Sequence, residues 1–223
     1  FGFAHVDVST GECAVTRGAR AAIRAELARI DPAELVVGPA VGEETLAALD
    51  TDATVTRHEP DVFEPDTAVD RLARYAADDR FAPGERVAAG GLLAYAEYTQ
   101  GDNGALSYVS RIQRYDPRRS LRLDATAMRS LELFESRHPG GGGTLVGTVD
   151  RTVSALGRRR LEAWLRRPLV DAERIERRHD AVAELLGRPI AREALREHLT
   201  NVYDLERLAA RIAQERADAR DLR

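Results

Sequence analysis

The feature that most limits the fold is a change of period near the middle of the chain. Up to D-P-R-R-S (116–120), short apolar or alternating runs interleave with helical stretches; beyond it only helical spacing remains. A chain of 223 residues with such a switch has room for an α/β domain followed by an all-α domain. The boundary falls at 118/119, giving an α/β domain over 1–118 and a helical domain over 119–223.

In the first domain, F-A-H-V-D-V and E-C-A-V-T-R flank S-T-G and read as a hairpin. Residues 19–30 put Ile23, Leu27 and Ile30 on one helical face, and Asp31-Pro32 ends that helix. E-L-V-V-G-P reads as a buried strand, E-E-T-L-A-A-L as a short helix and A-T-V-T-R-H as a further strand. A helix over 66–77 with Asp66 as its cap comes next, then a longer apolar helix over 86–100. Gly90 and Gly91 inside that helix cost stability, which makes sense where another backbone packs closely. Residues 106–115 read as a late strand.

In the second domain, Asp124 caps a helix in L-D-A-T-A-M-R-S-L-E-L-F, and H-P-G-G-G-G (138–143) is a loop. A helix from about Val153 to Arg167 carries Val153, Leu156, Leu161, Trp164 and Leu165 on its apolar side. Arg159, Arg160, Arg166 and Arg167 lie on the other side. Asp171 caps the next helix, whose face is Ile175, His179, Val182, Leu185 and Leu186. A shorter helix runs to about Leu199. The last starts near Asn201 or Asp204, with Val202, Leu205, Leu208, Ala209 and Ile212 inward.

The formal net charge of −4 is unevenly placed: residues 1–118 carry 12 Arg against 20 acids, and residues 119–223 carry 21 Arg against 17 acids. The first part should repel nucleic acid, and only the second could face it. Every one of the 33 basic residues is Arg. A GC-rich genome and a salt-loving organism both account for that. Cys13 is the single cysteine, so no internal disulfide and no cysteine-based metal site can form, which fits a reducing cytoplasm. No apolar run approaches the roughly 20 residues of a membrane-spanning helix. The chain opens on Phe1 inside a strand pattern and is expected to be a piece of a longer protein.

Reactive chemistry is sparse. Asp7, in the apolar run V-D-V-S-T-G, resembles the metal-binding Asp of a nuclease first strand, and Glu26 could be a second carboxylate. No third inward acid is offered by the later strands. The plainer reading is a turn carboxylate that accepts backbone N–H bonds. The run G-G-G-G-T (140–144) has no Lys for a phosphate loop and reads as a linker. His5, His58, His138, His179 and His198 share no metal-site spacing, and His179 falls on an apolar stripe, as a core histidine would. Cys13 fills a strand position. The arginine face at 158–167 is the one plausible DNA-facing surface, set against an ordinary solvated helix face.

The helical half resembles a known family. D-R-T-V-S-A-L-G-R-R-R-L-E-A-W-L-R-R-P-L (150–169) is similar to the tryptophan motif of the MutS family of DNA mismatch repair proteins, matching at Asp150, Thr152, Gly157, Arg159, Leu161, Trp164, Leu165, Pro168 and Leu169. Ser154 and Leu156 stand where that family usually has Thr and Met. L-D-A-T-A-M-R-S-L-E-L, R-R-H-D-A-V-A-E-L-L and D-L-E-R-L-A-A-R-I resemble further family segments in order, as do V-D-V-S-T-G-E and A-A-G-G-L-L-A-Y-A-E-Y-T-Q in the first half.

The resemblance implies an RNase H-like connector domain without nuclease function over 1–118, then the first part of the helical core or lever domain. It implies no catalytic, cofactor or metal residue in this segment. ATP and Mg would belong to an ATPase in the full-length parent, along with a mismatch-reading domain upstream. The expected partners are mismatched double-stranded DNA and MutL. The parent would be a homodimer at the nucleoid, and this fragment a monomer. A relative acting in recombination control and a metal-dependent nuclease using Asp7 are the alternatives. Asp150, Gly157, Arg159 and Trp164 would be structural: Trp164 buried, Gly157 at a close helix contact, and Arg159 paired with an acid such as Asp150.

Overall fold

The structure is a computed structural model that describes residues 1–75, 80–101, 106–109, 111–121, 123–138 and 143–218. It divides into two units: Phe1–Pro117 together with the segment that begins at Glu206, and Arg118–Leu205.

The first unit grows from the expected hairpin. Strands β1 (Gly2–Asp7) and β2 (Glu12–Arg17) pair antiparallel, with Val6 opposite Cys13 and Ala4 opposite Val15. β5 (Ile112–Arg114) pairs parallel with β2, giving the order β1-β2-β5. Alternation splits β1 between two cores. Phe3 meets Ile23 and Leu27 of α1 (Arg20–Ile30) and Leu49. Ala4 and Val6 pack with Cys13 and Val15 into a second cluster that includes Leu93 of α4 (Pro83–Gln100) and Leu72 of α3 (Pro65–Ala73). Helices thus cover both faces of the sheet. β3 (Glu34–Val37) and β4 (Thr54–Arg57) form a separate parallel pair, and α2 (Glu43–Ala47) lies between them in sequence.

Gly90 behaves as its place in a helix suggests: a Cβ there would lie 2.5 Å from the Cα of Ala68, so α3 and α4 approach backbone to backbone. Gly91 instead faces the Phe63 ring. Among the described residues of this unit three acids are buried, and each is partnered. Glu26 takes Arg29 and the Tyr115 hydroxyl. Glu85 accepts from Arg114 and from the Ala82 N–H. Glu97 accepts from Arg71 and Tyr75.

Several expectations need correction. α3 starts at Pro65 behind Glu64, so Asp66 sits inside the first turn and is not the cap; the expected end at 77 lies outside the described residues. The late strand shrinks to Ile112–Arg114. Leu106, Tyr108 and Val109 are buried as expected but belong to no strand: an apolar run fills a core equally well from a turn. The C-terminal helix α10 (Leu205–Ala213) packs with the first unit from Glu206 onward. Its buried residue is Ala210, which enters the α4 cluster, while Leu205 and Ile212 are exposed.

The second unit is helical. α5 (Ala125–Ser130) is capped by Asp124, which accepts from the Ala127 N–H, and α6 (Leu145–Val149) by Thr144. α6 is a short helix between the glycine run and the tryptophan-motif helix. Most of the loop before it, residues 139–142, lies outside the described residues. α7 (Ala155–Arg166) is capped by Ser154, and α8 (Ala172–Leu186) by Asp171 as expected; α9 is Pro189–Thr200. Met128, Leu133 and Val146 form its buried apolar part, whereas α7, α8 and α9 contain no buried residue.

Candidate functional site

The four arginines proposed as a DNA-facing surface do not act together. Arg159 turns to Asp204 in a two-pronged ion pair, with Nη2 2.8 Å from Oδ1. The guanidinium of Arg166 lies 4.0 Å from the centroid of the Phe134 ring. Arg167 is half-buried at the end of α7. Of the four, only Arg160 is classed as exposed. The reason is geometric: a twelve-residue helix spreads positions 159, 160, 166 and 167 over a wide arc, and neighbouring elements claim part of it.

A different basic cluster forms where α7 meets α8. A cleft of about 350 Å³ has Trp164, Ala181, Val182 and Leu185 as its floor and Arg174, Arg177 and Arg178 on its rim. The Arg178 guanidinium lies 3.6 Å from the centroid of the Trp164 ring. Burial first, then repulsion from Arg174 and Arg160, lower its pKa from the ordinary arginine value. Arg177 pairs with Glu173 one turn back. Among the described residues no acid pairs with Arg160, Arg174 or Arg178. Residues 174, 177, 178, 181, 182 and 185 follow helical spacing along one stripe of α8, half arginine and half apolar. That mixed stripe was the signal in the sequence. The expected apolar stripe one step round the helix hid it.

The motif residues hold the start of α7 in ways the sequence did not foretell. The Asp150 carboxylate accepts from the Thr152 N–H at 2.9 Å and hydroxyl at 2.7 Å, which lowers its pKa, and it does not pair with Arg159. A Cβ on Gly157 would sit 3.2 Å from the Ser154 Oγ and 3.4 Å from the Thr152 Cβ. Its tight contact is therefore with its own capping turn and not with a second helix. Trp164 is 41% exposed, against the expected burial, because its ring lies at the open cleft. His179 is exposed too.

The remaining candidates lie within the contacts of the first unit. Asp7 accepts from the Ser9 N–H at 2.8 Å and hydroxyl at 2.7 Å. Burial pushes its pKa up, but the hydrogen bonds from Ser9 and Thr10 prevail and hold it below the ordinary 3.8. The carboxylate is thus engaged in its turn, and Glu26 is engaged with Arg29 and Tyr115. Cys13 is buried, and burial pushes its thiol up to about 12. Among the described residues no three His, Cys, Asp or Glu side chains converge as metal ligands, and no helix is long and apolar enough to cross a membrane. With no Lys in the chain, the sequence holds no P-loop of the G-x-x-x-x-G-K-[ST] type.

Comparison with known proteins gives two family matches: MutS domain II over residues 1–114 and MutS domain III over residues 126–223. The chain is 50% identical over 231 residues to the DNA mismatch repair protein MutS 2 of Halobacterium salinarum, covering 100% of this chain and 26% of that protein. It is 52% identical over 224 residues to the DNA mismatch repair protein MutS of Haloquadratum walsbyi, covering 99% of this chain and 24% of that one. The protein of the same name from Symbiobacterium thermophilum is 38% identical over 240 residues, with 100% and 27% covered. The chain therefore spans about a quarter of the length of these relatives.

Proposed function

The chain belongs to the MutS family of DNA mismatch repair proteins, and on that footing we propose that it is the central relay portion of a mismatch recognition protein. In this reading residues 1–118 are the connector, of RNase H-like fold without nuclease function, and residues 119–223 open the core or lever. The whole protein, a cytoplasmic homodimer at the nucleoid, couples the ATP and Mg state of an ATPase elsewhere in the polypeptide to binding of mismatched double-stranded DNA and to recruitment of MutL. No residue of this chain is assigned to nucleotide or metal, and the fragment alone is a monomer without catalytic activity.

One observation carries the reading: the polypeptide passes between the two units twice, at Pro117–Arg118 and again at Leu205–Glu206. A body joined to its neighbour by two covalent crossings can pass on a displacement that a single flexible linker would dissipate. The second crossing follows directly on Asp204, which Arg159 of the tryptophan-motif helix holds. A relay of this kind needs stiff elements and discrete packings in place of reactive groups.

The test is made in the full-length parent. Arg159→Met should leave binding of a mismatched duplex without nucleotide within about twofold of the parent protein. It should change the rate of ATP-triggered release by at least about fivefold, the lower end of allosteric coupling. Fluorescence anisotropy of a labelled duplex reads both. An unchanged ATP response would remove Arg159 and its crossing from the relay.

A further inference from the structure

The chain re-enters the first unit at Glu206, and the segment that follows is held there lightly. Of the nine residues of α10 only Ala210 is buried, whereas α4 buries eight of its 18. The contacts of the helix end include two hydrogen bonds to turns of the first unit. The Ser107 hydroxyl donates to the Ala213 carbonyl, and the Gln214 side-chain amide donates to the Val8 carbonyl at 3.0 Å. Ser107 lies in the turn that follows α4, and Val8 in the hairpin turn between β1 and β2.

The closed arrangement carries two costs beside these gains. Glu215, just past the helix, has φ 56°, in the left-handed region that strains residues with a side chain. The Tyr108 hydroxyl is buried and has no hydrogen-bond partner among the described residues. Burial first raises the pKa of this phenol, the Cys13 thiol adds to it and the Arg216 charge opposes it, so Tyr108 lies between the strand β2 and the returning segment. Few buried side chains on one side and two stored costs on the other describe an element of low local stability.

From this we infer that residues 206–216 are a clasp that closes on the two turns and opens by itself while the sheet and α4 stay folded. Opening hydrates the Tyr108 hydroxyl and lets Glu215 relax. The clasp begins just after Asp204, which Arg159 holds within the second unit, so a displacement of α7 reaches it through Leu205 alone. The inference deepens the relay reading by naming an element with two packings. It rests on that reading for its use but not for its test, which contains no DNA and no nucleotide.

Hydrogen exchange of the full-length parent, read by mass spectrometry of peptides spanning 206–216 and 83–100, tests it. The 206–216 amides should exchange at least about tenfold faster than those of 83–100, at a rate that urea below the unfolding transition leaves unchanged. Ser107→Ala should speed this exchange about fivefold, the loss of one hydrogen bond, and Tyr108→Phe should slow it about threefold by removing the unpartnered hydroxyl. Both residues lie outside α10, so fraying of the helix end would ignore them. Glu215 is exposed, and Glu215→Gly, which frees the left-handed backbone, should slow the exchange as well should a turn variant fail to fold. The inference is overturned if exchange of 206–216 rises with urea as steeply as that of 83–100, because the segment would then open only with the whole unit. It is also overturned if these variants leave the rate unchanged.

Discussion

The two units use their apolar residues in opposite ways. In the first, a sheet covered on both faces closes its core within itself: Val15, Leu72 and Leu93 are fully buried, and the buried acids Glu26, Glu85 and Glu97 each have a partner. In the second, Met128, Leu133 and Val146 are buried, while Leu186, Ile190 and Val182 stand more than half exposed. A sheet with helices on both sides encloses its own interior. An amphipathic helix only offers a stripe, and the stripe is satisfied when something else lies on it. In α8 that stripe is exposed: Val182 and Leu186 are more than half accessible.

The largest effect that could break this contrast is a core truncation. Leu93→Ala should destabilise the first unit by about 3 kcal/mol, within the ~2–5 kcal/mol range for buried leucines. Leu185→Ala, at a 39% exposed position, should cost the second unit less than about 1 kcal/mol. Urea unfolding followed by far-ultraviolet circular dichroism resolves the two transitions. Similar losses at both positions would mean that the helical unit buries its stripe in solution.

Alkaline pH should separate the units next. Cys13, Tyr75, Tyr95 and Tyr108, all in the first unit, have raised pKa values: by burial first at Cys13, Tyr75 and Tyr108, and by the hydrogen bond to Glu34 first at Tyr95. In the unfolded chain the thiol ionises near 9.0 and the phenols near 10.0, while the folded thiol holds its proton to about 12. The folded state then binds more protons than the unfolded state, so stability falls as pH rises. The contribution is intact below pH 9 and is lost between about 9 and 12. The first unit's urea midpoint should drop over that window while the second's stays, and Cys13→Ala should blunt the drop. A parallel fall in both units would contradict the assignment.

What the sequence made legible was local. The hairpin around S-T-G, the stop at Asp31 and the caps Asp124 and Asp171 each depend on a few adjacent residues whose chemistry decides the backbone. The same locality made Asp7 readable as a turn carboxylate. What escaped was non-local. The partner of Arg159 lies 45 positions away at Asp204, and no spacing rule connects them. Trp164 and His179 were expected inside because apolar periodicity says which side of a helix is greasy, not whether that side is covered. Arg159, Arg160, Arg166 and Arg167 have different surroundings for a related reason. Their charges were read on one helix, while the cluster that forms takes Arg160 from α7 and Arg174, Arg177 and Arg178 from α8.

Salt should produce the smallest and most discriminating difference. Counted over the structural units, the first holds 16 Arg against 24 acids and the second 17 Arg against 13 acids. Self-repulsion is therefore stronger in the first unit, and molar KCl, which shortens the screening length to about 3 Å, should relieve it. The exposed pairs Arg24–Asp50 and Arg57–Glu43 lose attraction at the same time, but surface pairs contribute only ~0–1 kcal/mol each. In the second unit the net charge is smaller, and the helical pairs Arg158–Glu162, Arg177–Glu173 and Arg188–Glu184 are weakened with little repulsion to offset. The first unit's Tm should rise by about 4 °C per kcal/mol gained, and the second's should stay level or fall. Such a split would tie the all-arginine, acid-rich composition to life in salt. No rise in the first unit would leave the missing lysines to the base composition of the genome.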